Sequence, residues 1–320
     1  MNNTYFKILR SWTNSSIQDK GRNHLYHIGI TLSGAMDQRI FSISNAIVNN
    51  NLNEGAIEFA YQGPLLQLKN GSVNFVITGN VVFNILRKNS IIEEGKCFQS
   101  YLLEEEDQID IIFTKDSVFG YLAVEGGFKI EKFWGSYSVN TKAKIGPNNG
   151  EKFSAGEKIY INKPEVNNFV KRKVEYKTSL ATTIRTTKGT NFDYFSQEAK
   201  NKFFTGEYQV TKLSDRMGMR LEGPKLENIV NTNIKSEGLV KGVIQVPADG
   251  NPIIMFSDHG SIGGYPKIAV VITADHDKAS QLMPGSKIKF KEVNLDEAES
   301  LFKTYSENTK SYLEKIKWIY

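Results

Sequence analysis

The 320-residue chain carries one cysteine, Cys97, so it can form no intramolecular disulfide and build no thiolate metal site from its own thiols. That usage suits a reducing compartment. Histidines number four, and His24 and His27 lack carboxylate or cysteine neighbours at ligand spacing, so no metal site is expected. No apolar run approaches the roughly 18 residues that would span a bilayer. The opening MNNTYFKILRSWTNSS is polar, without an apolar core or a small-residue cleavage site. A cytoplasmic chain with no membrane partner is expected. Also missing are the phosphate loop G-x-x-x-x-G-K-S/T, a G-x-G-x-x-G after a strand, and the G-x-S-x-G elbow. Any ATP is therefore held by an unfamiliar cradle. Charge of one sign is lacking too: 40 basic residues against 35 acidic ones leave a net charge of +5. The only tight basic cluster, Lys171-Arg172-Lys173, has no interleaved aromatics and reads as solvated linker, so nucleic acid is not an expected partner.

What is present is β-type patterning. Ala56–Tyr61, Val73–Thr78, Ile109–Phe113, Phe119–Val124, Val240–Val246, Pro252–Phe256, Lys267–Thr273 and Lys287–Phe290 are short runs rich in β-branched and aromatic residues. Asn70-Gly71 and Asp249-Gly250 suit tight hairpin turns, and Pro284-Gly285 suits a type II turn. Many short strands with frequent turns argue for barrels or sandwiches. Helices are few. Met36, Ile40, Ile43 and Ile47 share one helical face and predict a helix over Ala35–Val48. A short helix is expected over Asp275–Leu282. Leu295, Ala298, Phe302, Tyr305, Thr309, Tyr312 and Ile316 predict a long amphipathic helix from Leu295 to Lys317, entered through Asn294 and Glu297 in a capping-box arrangement. Its stripe packs either on its own chain or on a partner. The polar stretch Asn162–Lys177 marks a boundary, giving an N-terminal barrel subdomain over 1–165 and a C-terminal one over 166–320. A short internal echo supports the split: Ala155-Gly156-Glu157-Lys158-Ile159 resembles Pro284-Gly285-Ser286-Lys287-Ile288.

Three places carry candidate chemistry. The first is 235–266, KSEGLVKGVIQVPADGNPIIMFSDHGSIGGYP, where polar residues stand at strand ends. Gly260, Gly263 and Gly264 allow close backbone approach and an anion nest beside Asp258 and His259. A plain hairpin loop reads equally well from spacing. On a strand, Asp258 and His259 would face opposite ways. The second is Ser214–Gly223, where Arg216 and Arg220 either clamp a carboxylate or phosphate or build a structural Asp–Arg turn. The third is Gly34-Ala35-Met36-Asp37, where Asp37 is at least a helix-dipole partner.

SDRMGMRLEG (214–223), SEGLVKGVIQVPADGNPI (236–253) and GGYPKIAVVITAD (263–275) together resemble the family of allophanate hydrolase subunit 2 and the 5-oxoprolinase C subunit, which is related to the carboxyltransferase region of urea carboxylase. GAMD (34–37) with Asn45, IEFAYQGP (57–64), YLAVEGGF (121–128), GS (135–136) and QLMPG (281–285) extend the likeness from about Ile28 to Phe290. The resemblance implies a mainly β fold of two cyclophilin-like barrel subdomains. It implies two partners, a B subunit resembling allophanate hydrolase subunit 1 and an A subunit of the LamB/YcsF type. The implied reaction is ATP-dependent opening of 5-oxo-L-proline to L-glutamate, with ATP shared with one of these partners. Two alternatives are carboxyl transfer from carboxybiotin to urea or a related small amide, and a non-catalytic role beside a kinase-inhibitor-type protein. For the first reading, Arg216 and Lys267 are the expected charge stabilisers and the Gly263-Gly264 backbone the cradle. Glu237 or Asp258 is the general base or orienter. Gln245 and Tyr265 orient substrate, with His259, Arg220 and Asp37 as further binding candidates. The chain departs from the family where an arginine-bearing G-S-R-S-T-like stretch reads Gly135-Ser136-Tyr137-Ser138-Val139. The usual D-R-Q-T-T-G-G-Y-P-like loop reads Asp258-His259-Gly260-Ser261-Ile262-Gly263-Gly264-Tyr265-Pro266.

Overall fold

A computed structural model describes residues 3–12, 14–162, 169–178, 182–230 and 233–319. The boundary expected at 165/166 falls outside them. Two compact units emerge: 1–22 with 33–178 and 309–320, and 23–32 with 179–308.

The first unit is two antiparallel sheets over one core. Along Tyr5–Arg10 the side chains alternate, with Phe6 and Ile8 buried and Lys7 exposed, as a sheet with one wet face requires. This strand lies second in a six-stranded sheet ordered Lys158–Tyr160, Tyr5–Arg10, Leu65–Lys69, Gln108–Thr114, Val81–Leu86, Ile92–Glu94. The five-stranded sheet runs Ser16–Gln18, Ala56–Ala60, Phe119–Val124, Val73–Thr78, Ser100–Leu103. Its strands Ala56–Ala60 and Phe119–Val124 are buried at every position. For Phe119–Val124 the cause is a covered second face, since helix Gln38–Ile47 packs on it and on Val73–Thr78. Its buried stripe includes Ile40, Ile43 and Ile47, three of the four residues that predict it. The helix starts later than Ala35 because Asp37 is its N-cap, accepting from the Ile40 N–H at 3.1 Å.

The second unit is built on a closed barrel. Its strands follow the order Thr183–Lys188, Lys267–Val271, Val243–Gln245, Ile253–Met255, Gly218–Glu222, Tyr208–Val210, Lys287–Glu292, and the last pairs parallel with the first. Ile184, Tyr208, Leu221, Ile244, Ile254 and Phe290 are buried along these strands. Phe203, from helix Gln197–Thr205, stacks on Phe290 at 4.4 Å between ring centroids. The strand expected over Val240–Val246 is shorter, Val243–Gln245. Gly242 sits at φ +92° just before it, breaking the extended run. The echoed segments match in structure. Gly156 and Gly285 both sit near φ +90°, each two residues ahead of a strand.

The C-terminal helix runs Leu295–Glu314, with Asn294 Oδ1 accepting from Glu297 N–H at 2.8 Å. It ends before Lys317 because Lys317–Ile319 leaves the helix to pair with Lys171–Lys173. The basic cluster is thus a strand rather than free linker. Ala298, Leu301 and Tyr305 pack on Ile272, Ala274 and Val293, so the stripe is used by its own chain. Leu295 and Phe302 remain exposed. No helix among the described residues is long and apolar enough to cross a membrane.

Candidate active site

Where strand Lys267–Val271 begins and strand Val243–Gln245 ends, polar groups gather at one end of the barrel; the register sets Gln245 opposite Lys267. Lys267 is almost fully buried. A buried ammonium needs partners that replace the water it has lost. It has two: Glu237 Oε2 at 2.7 Å and Asn191 Oδ1 at 3.3 Å. Glu237 reaches it from a two-stranded ribbon, in which Glu237 pairs with Gly263 and Gly238 with Ile262. The pair is asymmetric: the Lys267 side chain is 3% exposed and that of Glu237 41%. The hydrogen bond from Lys267 holds the Glu237 carboxyl below the usual carboxylate range, so it is ionised at neutral pH, and it lies at the solvent edge.

Gln245 is buried and donates from Nε2 to the Tyr265 carbonyl at 3.2 Å, fixing the loop ahead of Lys267. The Tyr265 ring is 39% exposed. A Cβ at Gly263 would lie 2.6 Å from Gln245 Nε2 and 2.8 Å from Leu239 Cδ1. Gly263 is glycine because the loop lies directly on Gln245. Gly264 has a similar constraint: a Cβ there would meet the Ile234 carbonyl at 3.1 Å, and Gly264 O accepts from Ile234 N–H.

Arg216 and Asp258 face each other across the ends of strands Gly218–Glu222 and Ile253–Met255. Arg216 donates from Nε and Nη2 to the two Asp258 carboxylate oxygens at 2.7 and 3.1 Å, and its carbonyl accepts from Asp258 N–H at 2.9 Å. Within the cluster itself the turn is made by Asp215, whose Oδ1 accepts from the Met217 N–H at 2.8 Å, while Arg216 reaches Asp258. Arg220 lies exposed on its strand, with its backbone N–H on Ser214 Oγ.

His259 follows Asp258 in a turn rather than a strand, and its side chain has a different partner. Its Nδ1 is 2.6 Å from the Gly260 carbonyl, which makes Nδ1 the protonated nitrogen and leaves Nε2 to accept from Tyr26 OH at 3.3 Å. Burial pushes the imidazole pKa down, so this neutral tautomer persists at neutral pH. Tyr26 comes from segment 23–32, which belongs to the same unit. Asp37 belongs to the first unit. It caps a helix in the first unit, where its N–H donates to Tyr121 OH, which in turn donates to Glu58.

Two site residues were missed by sequence reasoning, Asn191 and Tyr26. The signal for Asn191 was the turn that follows strand Thr183–Lys188. Gly189 within it lets the turn press on the barrel, since a Cβ there would meet the Lys267 carbonyl at 2.3 Å. No group of three or more histidine, cysteine or acidic side chains that could hold a metal occurs among the described residues.

Known proteins share this architecture. The carboxyltransferase domain, subdomain A and B, matches residues 28–292. The chain is 30% identical to the 5-oxoprolinase C subunit of Haemophilus influenzae over 313 residues, covering 98% of this chain and 97% of the relative. It is 28% identical to urea amidolyase of Saccharomyces cerevisiae, covering 93% of this chain but 17% of that much longer protein. The fold superposes on the crystal structure of the Kluyveromyces lactis urea amidolyase with a TM-score of 0.88 at 24% identity, over 99% of this chain and 21% of that one. With more than half its length matched, the chain belongs to the family of carboxyltransferase domains, subdomains A and B.

Proposed function

We propose that this protein is the C subunit of a 5-oxoprolinase, opening 5-oxo-L-proline to L-glutamate at the expense of ATP. Its partners in this reading are a B subunit of the allophanate hydrolase subunit 1 type and an A subunit of the LamB/YcsF type. The observation that carries the reading is a likeness running the full length of a relative so named. The Lys267–Glu237 site supplies suitable chemistry. Lactam opening needs the negative charge of the phosphoryl group stabilised as it passes from ATP to the carbonyl oxygen with ADP leaving, and then water activated for attack at that carbon, which breaks the C–N bond and releases phosphate. A buried ammonium is strong at the first task because little solvent screens it. An ionised carboxylate at the solvent edge suits the second, or orients the water. Between the two base candidates, Glu237 is the better one, because Asp258 is held in a bidentate pair with Arg216. Tyr265 and Gln245 border the same end of the barrel and orient the ring amide. ATP is a cosubstrate shared with one of the partners.

Carboxyl transfer from carboxybiotin to a small amide is the second reading, favoured by the family match itself. The chain carries no biotinyl-lysine segment of the A-M-K-M type, so that reaction needs a separate biotin-bearing protein. The test is co-expression with A- and B-type subunits, followed by an assay of ATP turnover dependent on 5-oxoproline. Turnover by the assembly and none by the chain alone supports the proposal. Turnover that instead requires carboxybiotin supports the second reading.

A further inference from the structure

The two sheets of the first unit leave a gap at one margin. Strand Lys158–Tyr160 is outermost in the six-stranded sheet, and Ser16–Gln18 is outermost in the five-stranded one. Ile159 from the first strand and Ile17 from the second, with Val139 and Phe153, are buried and line a cavity of about 180 Å³. Sites for drug-sized ligands run to roughly 300–1,000 Å³, so an occupant here is smaller, of amino-acid size, and a nucleotide does not fit.

Four charged side chains line the same cavity, and two are already engaged. Glu151 pairs with Lys144, and Lys158 Nζ lies over the Tyr5 ring, 4.8 Å from its centroid. Lys129 and Glu157 are not engaged: among the described residues no hydrogen bond or ion pair reaches the ammonium of the one or the carboxylate of the other. Both stand on fixed backbone. Lys129 N–H donates to the Tyr160 carbonyl at 2.8 Å, and the Glu157 carbonyl accepts from Ile8 N–H at 3.0 Å. Glu157 is half-buried, so its carboxylate has given up water without gaining a protein partner. An apolar floor bordered by one open cation and one open anion is complementary to a zwitterion that carries a hydrocarbon side chain.

We propose that this cavity binds an α-amino acid with an apolar side chain, its carboxylate on Lys129, its ammonium on Glu157 and its side chain against Ile17, Phe153 and Ile159. All these residues belong to the first unit, whereas Lys267 and Glu237 belong to the second. The proposal therefore needs neither the partner subunits nor the 5-oxoprolinase reading.

The test is isothermal titration calorimetry of the full chain with L-leucine and L-phenylalanine, without ATP. Two analogues of leucine each lack one charge: isocaproate has no ammonium, and isopentylamine has no carboxylate. Each is expected to bind at least roughly tenfold more weakly than L-leucine, the effect of losing one charged hydrogen bond. Glu157→Gln should weaken L-leucine and isopentylamine by a similar factor and leave isocaproate unchanged. Lys129→Gln should weaken L-leucine and isocaproate and leave isopentylamine unchanged. Both side chains reach solvent, and circular dichroism checks that each variant folds. Absence of saturable binding of either amino acid at millimolar concentration overturns the proposal. So does binding that neither variant weakens, which places the ligand elsewhere. Isocaproate or isopentylamine binding as tightly as L-leucine overturns it too.

Discussion

Arg216 holds Asp258 through two hydrogen bonds, at 2.7 and 3.1 Å, with the aspartate side chain 3% exposed and the arginine 18%. A carboxylate so buried has lost most of its water, and the guanidinium supplies hydrogen bonds in its place. Arg216→Ala leaves it without that partner, and breaking a buried pair from one side costs about 3–5 kcal/mol. The expected outcome is a large loss of unfolding free energy in denaturant titrations. Removing both charges with Arg216→Met and Asp258→Leu should recover part of that loss. A folded Arg216→Ala chain of undiminished stability, but with turnover lost in the assembly, would return Arg216 to the role of charge stabiliser.

The Lys267–Glu237 pair predicts a loss of stability on acidification, as a buried histidine does, but over a more acidic range. The folded-state pKa of Glu237 is depressed. Its contribution to stability is therefore complete above the carboxyl's unfolded pKa and is lost as pH falls through the folded one. Glu237 is well exposed, so solvent screening keeps this contribution small. Lys267→Met removes the cause of the depression, and Glu237→Gln removes the titrating group. Thermal melts between pH 3 and pH 7 should show a flatter acid limb in Glu237→Gln than in wild type. Equal slopes would mean that the carboxylate is not coupled to folding.

His276 provides the histidine case. Its Nε2 lies 3.1 Å from the Val271 carbonyl, and a Cβ at Gly242 would approach that nitrogen to 2.5 Å. Burial pulls the imidazole pKa down from 6.5 to about 4. The unfolded chain thus takes up the proton first, and stability falls as pH drops from about 6.5 toward 4. The loss amounts to no more than about 3 kcal/mol. His276→Gln should abolish this part of the acid dependence while leaving that of Glu237. A melting temperature that is flat between pH 7 and pH 5 in wild type would refute the assignment.

Legibility in the sequence followed the range of the interaction. Helix Gln38–Ile47 and helix Leu295–Glu314 were legible because helical periodicity is a local property, written in steps of three and four. The strands of the barrel were legible as short β-branched runs, although their ends moved where Gly242 took a positive φ. The site was legible only in part. Glu237, Gln245, Tyr265 and Lys267 were found because one stretch of chain holds them and resembles a family. Asn191 was not, since its contact with Lys267 joins residues 76 apart. Nor was Tyr26, 233 residues from His259. No spacing rule reaches across such intervals. Arg216 and Asp258 are both chemical candidates by residue type, but that they pair with each other depends on two strand ends meeting, which only the closed barrel determines.

The contact between Gly263 and Gln245 gives the sharpest test of the site's construction. Gly263 does not adopt a left-handed backbone conformation, so an alanine there meets no backbone strain. What it meets is the Gln245 amide at 2.6 Å and Leu239 Cδ1 at 2.8 Å. Overpacking of this kind costs about 1–3 kcal/mol. The Gln245 side chain must yield, and with it the hydrogen bond to the Tyr265 carbonyl that sets the loop before Lys267. Gly263→Ala is therefore expected to destabilise the chain and to weaken turnover by displacing Tyr265. Gln245→Ala alone removes the same hydrogen bond while opening space. In the double variant the new methyl group occupies room that the glutamine has vacated. The cycle of wild type, two single variants and the double variant should then show a coupling of at least about 0.5 kcal/mol, with the double variant more stable than the sum of the single effects. Urea titrations of the four proteins measure this coupling directly. Strict additivity would show that Gly263 is small for a reason other than Gln245, and close approach of a ligand to its backbone would become the better explanation.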